Sequence, residues 1–407
     1  MLSRHRKSLV ALFSDLQKLR QNPEDIALCF SIQEQLVSRI CRTEYRIRGL
    51  KENNVPLNRL VNHGRLPREY VLKLKAQVER NLMRKTELQN LLFILRAIGD
   101  GIAFIYLDKW DIKPFCLSKE HAGFISGKSG LRLELEFFRA RKADGFPCIL
   151  NDITNSLRYG DITCIKGGLP TIFEVKSSPP DRGNPRTQRQ IDRARKLLKY
   201  FEDDQAEGVY PGQGSAILNR CELVVEEEHH RKKLTALIIE AFALKKNLTN
   251  IIEDGLYYHV SASVRTGLAS LSQVPEGRHI CAFFLNADKY VAQAYYPFTL
   301  SISNPESLFA FYAGLCVITV FIDFDVIKRE LAKRGIQTSF NLDGEDDFVC
   351  LQGDAPTYRM QVSRHFFGRV AAEFLSLKWI LQELAGQVER YVKKSSSPTD
   401  VVRPADP

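Results

Sequence analysis

Residues 157–178 read LRYGDITCIKGGLPTIFEVKSS, and this stretch decides the fold of the region around it. Apolar and β-branched residues on both sides of the glycine pair at 167–168 predict two strands joined by a turn. Glu174 and Lys176 are two residues apart, so on a strand their side chains lie on the same face of the sheet. If the two strands pair, Asp161 lies beside Glu174.

The flanking segments predict a unit in the order helix, three strands, helix. LRLELEFFRARKADG at 131–145 is typical of a helix that stops at a glycine, and FPCIL at 146–150 is typical of a short strand. TQRQIDRARKLLKYFEDD at 187–204 predicts a strongly basic helix after the third strand. The expected fold class is therefore α/β in the broad sense, or α+β.

The two carboxylates on the predicted strands suggest a metal site. Asp161 and Glu174 would repel each other at close range unless a cation lay between them. Mg²⁺ accepts carboxylate oxygens and keeps water ligands for a substrate phosphate, and Mn²⁺ can substitute for it. Lys176 beside such an ion can orient or deprotonate an attacking water and offset the charge of a phosphorane-like transition state. This chemistry is metal-dependent hydrolysis of a phosphodiester bond.

The motif GDIT at 160–163, followed by EVK at 174–176, resembles the PD-(D/E)XK nuclease superfamily. The resemblance covers residues 130–203, and Gly160 stands where the motif usually has proline. It implies a restriction-endonuclease-like mixed sheet flanked by helices. It also implies that Asp161, Glu174 and Lys176 are catalytic, that the two acids bind the metal, and that the protein is an endonuclease with DNA preferred over RNA.

The resemblance further implies a catalytic, metal-ligating glutamate on the first helix, which offers Glu134 and Glu136. Glu134 shares a helix face with Leu131, Leu135 and Phe138, whereas Glu136 lies about 200° round the helix from it. We therefore favour Glu134 as the ligand. A solvated surface acid is the alternative for either residue.

The basic helix is expected to contact substrate. The resemblance places a glutamine near its start, directed at the active site, and Gln190 matches best, with Arg193 one turn further on the same face. The residues expected to contact phosphates without sequence specificity are Arg186, Arg189, Arg193 and Lys196. A solvated basic face is the alternative.

The N-terminal third is basic and helical. The chain carries a net charge of +10, and residues 1–99 hold 19 Lys and Arg against 9 Asp and Glu. Apolar residues recur at three- and four-residue steps from Leu9 to Leu19, and again from Val71 to Leu95, with a loop expected between Asn53 and Pro67. We expect residues 1–115 to bind nucleic acid or a protein partner, either as an intramolecular bundle or through a homodimeric coiled coil.

The segment GFISGKSG at 123–130 contains the residue types of a phosphate-binding loop without their spacing. The first glycine of that motif would fall on residue 122, which is alanine, and no convincing strand precedes it. A linker that ends at a helix start is the expected structure.

The remaining segments complete the predicted organisation. Residues 116–300 form the nuclease domain, residues 301–394 form a C-terminal α/β region, and residues 395–407 form a disordered tail. Residues 234–253 are expected to be helical, the apolar run at 308–322 to be a buried strand, and residues 367–394 to be one long helix. Some strands after residue 205 are expected to complete the nuclease sheet.

Composition indicates a cytoplasmic protein without membrane contact. The longest apolar run has 15 residues, fewer than the ~20 that a membrane helix needs. The nine cysteines are scattered without the close spacing of a zinc or redox motif, which favours reduced, buried thiols.

Two functional classes therefore remain open. The first is an active nuclease, by analogy within a restriction, mobile-element or phage-defence system. The second is a catalytically inactive nucleic-acid-binding or assembly protein on a nuclease-like scaffold. The complete set of Asp161, Glu174 and Lys176 favours the first.

Overall fold

A computed structural model describes residues 2–109, 111–112, 123–176, 185–207, 217–219, 228–262, 279–290, 296–340, 349–354, 357–362 and 364–396. The chain forms two compact units. The first comprises Met1–Leu223 with Tyr290–Ala313, and the second comprises Val224–Lys289 with Gly314–Pro407.

The described residues contain α-helices and strands in both units. The helices are α1 (Arg6–Gln21), α2 (Ile26–His63), α3 (Arg68–Tyr106), α4 (Leu131–Arg141), α5 (Pro185–Asp203), α6 (Glu228–Leu244), α7 (Leu285–Asp288), α8 (Phe298–Ser301), α9 (Pro305–Tyr312), α10 (Phe324–Ala332), α11 (Arg364–Glu373) and α12 (Leu377–Ser396). The strands are β1 (Cys148–Leu150), β2 (Ile162–Lys166), β3 (Leu169–Phe173), β4 (Gln205–Glu207), β5 (Ile217–Asn219), β6 (Leu248–Glu253), β7 (Leu256–Ser261), β8 (Ile280–Phe284), β9 (Val317–Asp323), β10 (Gln337–Phe340), β11 (Val349–Asp354) and β12 (Thr357–Val362).

The first unit opens with the helices α1, α2 and α3. The apolar stripe of α1 is buried from Leu9 to Leu19, as an intramolecular bundle requires. The predicted loop between Asn53 and Pro67 is wrong, because α2 continues to His63 with Pro56 inside it. The buried Asn54 accepts a hydrogen bond of 2.8 Å from Asn81 of α3, so packing between the helices overrides the local breaker signals.

The predicted order of helix, three strands and helix is confirmed by α4, β1, β2, β3 and α5. The three strands form an antiparallel sheet in the order β1-β2-β3. Every strand pairing in the described parts of the chain is antiparallel. The α+β class is therefore shown, whereas the parallel pairing that a mixed sheet needs is absent from those parts.

A disulfide links the first two strands. Cys148 and Cys164 face each other in the register of β1 and β2, with their Cα atoms 4.0 Å apart, and form a disulfide. The prediction that the cysteines are reduced thiols is therefore wrong for this pair. Cys29 and Cys316 are buried free thiols, as predicted.

Helix α2 supports the free edge of this sheet. The amide of the fully buried Gln33 donates to the Cys148 carbonyl at 2.8 Å and accepts from the Leu150 N–H at 2.9 Å. A side chain thus completes the hydrogen bonding of an edge strand. The domain boundary predicted between residues 115 and 116 falls inside the first compact unit, and so does the one predicted between residues 300 and 301.

The second unit contains its own sheets. Strands pair in the orders β6-β7-β9-β8 and β10-β11-β12. The expectation that these later strands extend the nuclease sheet is wrong for the described pairings, because β1–β3 pair only among themselves.

Three local predictions after residue 205 also need correction. Residues 248–253 form strand β6 rather than helix, and the run at 308–322 divides between the end of α9 and β9. The final helix is interrupted at the fully buried Phe374, which adopts φ +58° and accepts a 3.2 Å hydrogen bond from His230 Nδ1. The last helix reaches Ser396, two residues into the predicted disordered tail, and residues 397–407 lie outside the described chain.

Among the described helices, α3 is long and apolar enough to cross a membrane, and 78% of its most apolar window is buried inside the protein. Burial of this extent is typical of a core helix.

We expect Gln33→Ala to lower the free energy of unfolding by about 2–4 kcal/mol, because two buried backbone groups of β1 would lose their partner. Urea unfolding followed by circular dichroism measures the change. Gln35→Ala, on the same helix but only half-buried, is the control and should change stability by less than about 0.5 kcal/mol. Equal losses in both variants would contradict the supporting role of Gln33.

Candidate active site

Asp161 lies where the ends of all three strands of the first sheet meet. Its N–H donates to the Phe173 carbonyl at 2.8 Å, and its own carbonyl accepts from the Asn151 N–H at 2.9 Å. Its carboxylate accepts a 2.8 Å hydrogen bond from the Val175 N–H. The backbone and side chain of Asp161 are therefore fixed relative to both neighbouring strands.

The residue before Asp161 has to be glycine in this geometry. Gly160 adopts φ +68°, and a Cβ atom there would lie 2.4 Å from Ile172 Cγ2 and 2.9 Å from the Phe173 carbonyl oxygen. The close approach of β3 and the left-handed backbone both exclude a side chain. The same backbone conformation excludes proline, whose φ is fixed near −65°.

The turn that leads to Asp161 is held by a buried carboxylate of α3. Asp100 accepts hydrogen bonds of 2.8 Å from the backbone N–H groups of Asn155 and Ser156, 2.8 Å from the Asn155 amide and 2.6 Å from the Ser156 hydroxyl. Burial raises the pKa of Asp100, while these donors act in the opposite direction. The Asn151 amide adds bonds to the carbonyls of Tyr159 at 2.6 Å and Gly160 at 3.2 Å.

Helix α4 brings the carboxylate of Glu134 to the site. Glu134 is 7% exposed, whereas Glu136 is exposed and pairs with Arg132 at 2.8 Å. The pKa of Glu134 is raised to about 7, mainly by burial and also by the negative charges of Asp161 and Asp152. Glu134, rather than Glu136, therefore faces the other acids, in agreement with the apolar periodicity of α4.

The pKa of Asp161 is raised to about 6. Burial is the main cause, and the charges of Glu174 and Asp152 act in the same direction. The Val175 hydrogen bond and the charge of Lys128 oppose the shift. Four carboxylates from four different segments thus influence one another electrostatically.

Sequence reasoning missed two members of this group, Asp152 and Lys128. Lys128 Nζ donates to the Asp152 carboxylate in a short ion pair. Burial lowers the pKa of Lys128, but Asp152 and the charges of Glu134 and Asp161 outweigh it, so the net pKa is raised. Lys128 belongs to GFISGKSG. The glycines and the lysine of this segment could have indicated a functional turn, although their spacing does not match a phosphate-binding loop.

The segment that carries Lys128 is anchored to the helical bundle. The fully buried Glu44 accepts hydrogen bonds from the N–H groups of Ile125 at 3.2 Å and Ser126 at 2.8 Å. Arg96 pairs with Glu44 at 3.1 Å and donates to the Gly123 carbonyl at 2.7 Å. The segment is therefore a turn held by buried hydrogen bonds rather than the expected linker.

Glu174 and Lys176 lie just beyond the third strand. The predicted strand through both residues is wrong in extent, because β3 ends at Phe173. Lys176 Nζ lies 3.6 Å from Glu174 Oε1, with about a third of each side chain exposed (34% and 37%). The Val175 N–H is used by the Asp161 carboxylate instead of a further strand.

Helix α5 follows as predicted, but its proposed substrate contacts are only partly described. The side chains of Gln190, Arg186, Arg189 and Arg193 lie outside the described part of the structure. Lys196 is exposed on this helix.

The donor chemistry of the acid group fits a hard divalent cation, since all four members offer carboxylate oxygens. Within the described residues, however, no group of three or more Asp, Glu, His or Cys side chains is already arranged to hold a metal ion. The acids influence one another through their charges, while three of them have separate partners. Lys128 donates to Asp152, the Val175 N–H donates to Asp161, and Lys176 forms an ion pair with Glu174.

We expect Gly160→Ala to cost several kcal/mol of stability, about 1 for the left-handed backbone and about 1–3 for the clash with β3. Gly168→Ala is the matched control, because Gly168 has φ +78° with nothing within 4 Å of the added Cβ. Denaturant unfolding gives the free energy of unfolding of both variants, and the difference between their losses measures the clash with β3. A loss at Gly160 no larger than at Gly168 would show that the close approach is unimportant.

The raised pKa values predict that metal-free protein loses stability as pH rises. Glu134 (folded pKa about 7) and Asp161 (about 6) hold protons in the folded state that the unfolded chain releases near pH 4. Their contribution therefore falls between about pH 4 and 7 and stays low above that range. In chelator, the melting temperature of Glu134→Gln should fall less steeply with rising pH than that of wild type. The melting temperature of Glu136→Gln should follow that of wild type.

No family model matches the chain, and neither a curated protein nor a solved structure is found to match it. The function has to be inferred from the residues of the site.

Proposed function

We propose that the protein is a divalent-metal-dependent nuclease. The observation that carries the proposal is the grouping of Glu134 from α4 with Asp161 and Glu174 at the strand ends, where burial, together with the charges of the neighbouring acids, raises the pKa of Glu134 and of Asp161. Perturbed acids gathered from distant parts of a chain are typical of catalytic sites. The resemblance of residues 130–203 to PD-(D/E)XK nucleases supports the same chemistry and remains a hypothesis about the fold.

We assign Asp161, Glu174 and Glu134 as the residues that would hold Mg²⁺, with Mn²⁺ as a substitute. The ion would supply Lewis-acid stabilisation of a phosphate oxygen and of a nearby water. Asp152 and its partner Lys128 stand next to this group. Their ion pair would adjust the net negative charge that the cation meets.

The lysine and the basic helix would act on the substrate itself. Lys176 would hold the attacking water by donating a hydrogen bond, and its charge would offset the negative charge that develops at phosphorus. The water oxygen would bond to phosphorus as the bond from phosphorus to the 3′ oxygen breaks. The attacking water would lose a proton to solvent and the departing 3′ oxygen would take one from solvent, leaving a 5′-phosphate and a 3′-hydroxyl. Gln190 would contact the scissile phosphate, and Arg186, Arg189, Arg193 and Lys196 would bind the backbone of DNA, with RNA as the less favoured substrate.

The N-terminal helices are proposed to bind a protein partner or a second copy. The stripe on α1 is used inside the bundle, but apolar side chains on the far half of the α2–α3 hairpin are exposed. These are Val55, Leu60, Tyr70, Leu72, Leu82 and Met83. Their exposure, at 44–58% of each residue, supports an interaction role for this half of the hairpin. A role in restriction, mobile-element or phage-defence systems and a cytoplasmic location remain predictions.

The test is cleavage of linear, circular and branched DNA and of RNA in Mg²⁺, Mn²⁺ or chelator. We expect Asp161→Asn and Lys176→Ala to lower the rate at least about 100-fold, since each removes a group needed in the transition state. Lys166→Ala, which alters an exposed lysine on β2, is the matched control and should retain the wild-type rate.

Activity that survives both active-site substitutions, or that ignores the chelator, would overturn the proposal. Binding that weakens with salt but never leads to cleavage would favour the alternative of an inactive nucleic-acid-binding protein.

A further inference from the structure

A small polar cavity lies in the first unit, lined by residues of the helices α1, α2 and α3. Its volume is about 160 Å³. A protein cavity of about 150 Å³ holds benzene, which is larger than a phosphate ion. The cavity therefore has room for a small ion or one functional group, and not for a molecule of nucleotide size.

The base of the cavity offers nothing to an apolar ligand. Leu9, Leu91 and Leu95 line it, and each is at most 5% exposed. A ligand that covered these leucines would gain little from the hydrophobic effect, because almost no apolar surface would leave the water. Binding in this cavity must come from its polar groups.

Three arginines of α2 supply those polar groups. Arg39, Arg42 and Arg46 follow one another at three- and four-residue steps, which places them on one face of the helix. Arg42 and Arg46 are exposed, whereas Arg39 is half-buried. One side of the cavity is therefore a stripe of three guanidinium groups that an ion from solvent can reach.

No acid neutralises this stripe within the described part of the chain. The positions on α2 that lie three or four residues from each of these arginines hold neither Asp nor Glu. None of the three arginines forms an ion pair in the described residues. Like charges at this spacing destabilise a helix, so the stripe weakens α2 unless an anion binds to it.

A histidine at the cavity also lies in a positive field. Burial lowers the pKa of His5, which lines the cavity just before α1. The charges of Arg4, Arg46 and Arg39 lower this pKa further. Glu87, whose charge acts in the opposite direction, is paired with Arg4 at 2.8 Å. The cavity is consequently electropositive on the sides of both α1 and α2.

We propose that this cavity binds a phosphate group, with the phosphate oxygens on Arg39, Arg42 and Arg46. Arginine suits this role because its planar donors form bidentate, charge-assisted hydrogen bonds with phosphate. Free inorganic phosphate and the terminal 5′-phosphate of a nucleic-acid strand present the same oxygens to the stripe. None of the residues assigned to the nuclease centre lines the cavity, so the proposal does not depend on nuclease activity.

Isothermal titration calorimetry on the full chain in chelator tests the proposal. We expect inorganic phosphate to bind with a Kd of about 1 mM or below, and Arg42→Gln and Arg46→Gln each to weaken binding about tenfold. Arg59→Gln removes an exposed charge from the same helix outside the cavity, so it should leave phosphate binding unchanged. Absence of phosphate binding, or equal weakening by Arg59→Gln, would overturn the proposal.

Thermal unfolding separates a binding role of the stripe from a structural one. Without phosphate, Arg42→Gln should unfold at the wild-type temperature or above it, because the substitution removes a like-charged neighbour. Added phosphate should raise the melting temperature of wild type more than that of the variant. A variant that unfolds below wild type without phosphate would show that Arg42 is a structural residue and would contradict the proposal.

Two short DNA strands of one sequence, with a 5′-phosphate or a 5′-hydroxyl, identify the source of the phosphate. Stronger binding of the phosphorylated strand, weakened by Arg42→Gln, would assign the cavity to a strand terminus. Binding of inorganic phosphate alone would assign it to the free ion. Equal binding of both strands, weakened by Arg42→Gln, would make the cavity part of a track for the internal backbone and would overturn the proposal.

Discussion

The buried carboxylate of Asp100 is the constraint on which the candidate site depends. Burying a charge is costly unless hydrogen bonds compensate, and here four donors from Asn155 and Ser156 do so. The turn at 154–160 is thereby tied to α3, and with it the glycine that admits Asp161 next to β3. Gln33 fixes β1, and Glu44 fixes the segment that carries Lys128, in the same manner. The helical bundle thus supports three parts of the site, each through one buried polar side chain.

Electrostatics make the site a poor arrangement for stability at neutral pH, and the acids responsible are the ones proposed to hold the cation. Burial and the charges of neighbouring acids raise the pKa values of Glu134 and Asp161, while Lys128 and Lys176 only partly offset the negative charge of the acids. A group of carboxylates that lowers stability at neutral pH is retained where it has a use. One divalent ion would neutralise the charges that repel one another. The loss of stability at neutral pH and the proposed metal binding therefore have the same cause, the grouping of acids.

The sequence predicted the parts of the fold that local patterns determine. Two-residue and 3.6-residue periodicities gave the order of α4, β1, β2, β3 and α5, and the apolar face of α4 distinguished Glu134 from Glu136. What could not be predicted depends on contacts between distant residues. Gln33 acts on a strand 115 residues away, and Lys128 meets Asp152 only because Glu44 bends its segment. Likewise α2 passes through Pro56 because α3 packs against it, and Phe374 breaks a periodic helix because its surroundings bury it.

The positive charge of the N-terminal third also has a different meaning in three dimensions. A count of 19 basic against 9 acidic residues in positions 1–99 suggests one surface for nucleic acid. The arginines are instead divided among separate tasks. Arg96 is buried with Glu44, Arg48 donates to the Ser126 hydroxyl at 2.9 Å, and the stripe from Arg39 to Arg46 lines a cavity. Arginines that hold a buried acid or a turn are not available to a phosphate backbone, so the count of basic residues in positions 1–99 overstates the charge that a nucleic acid could meet there.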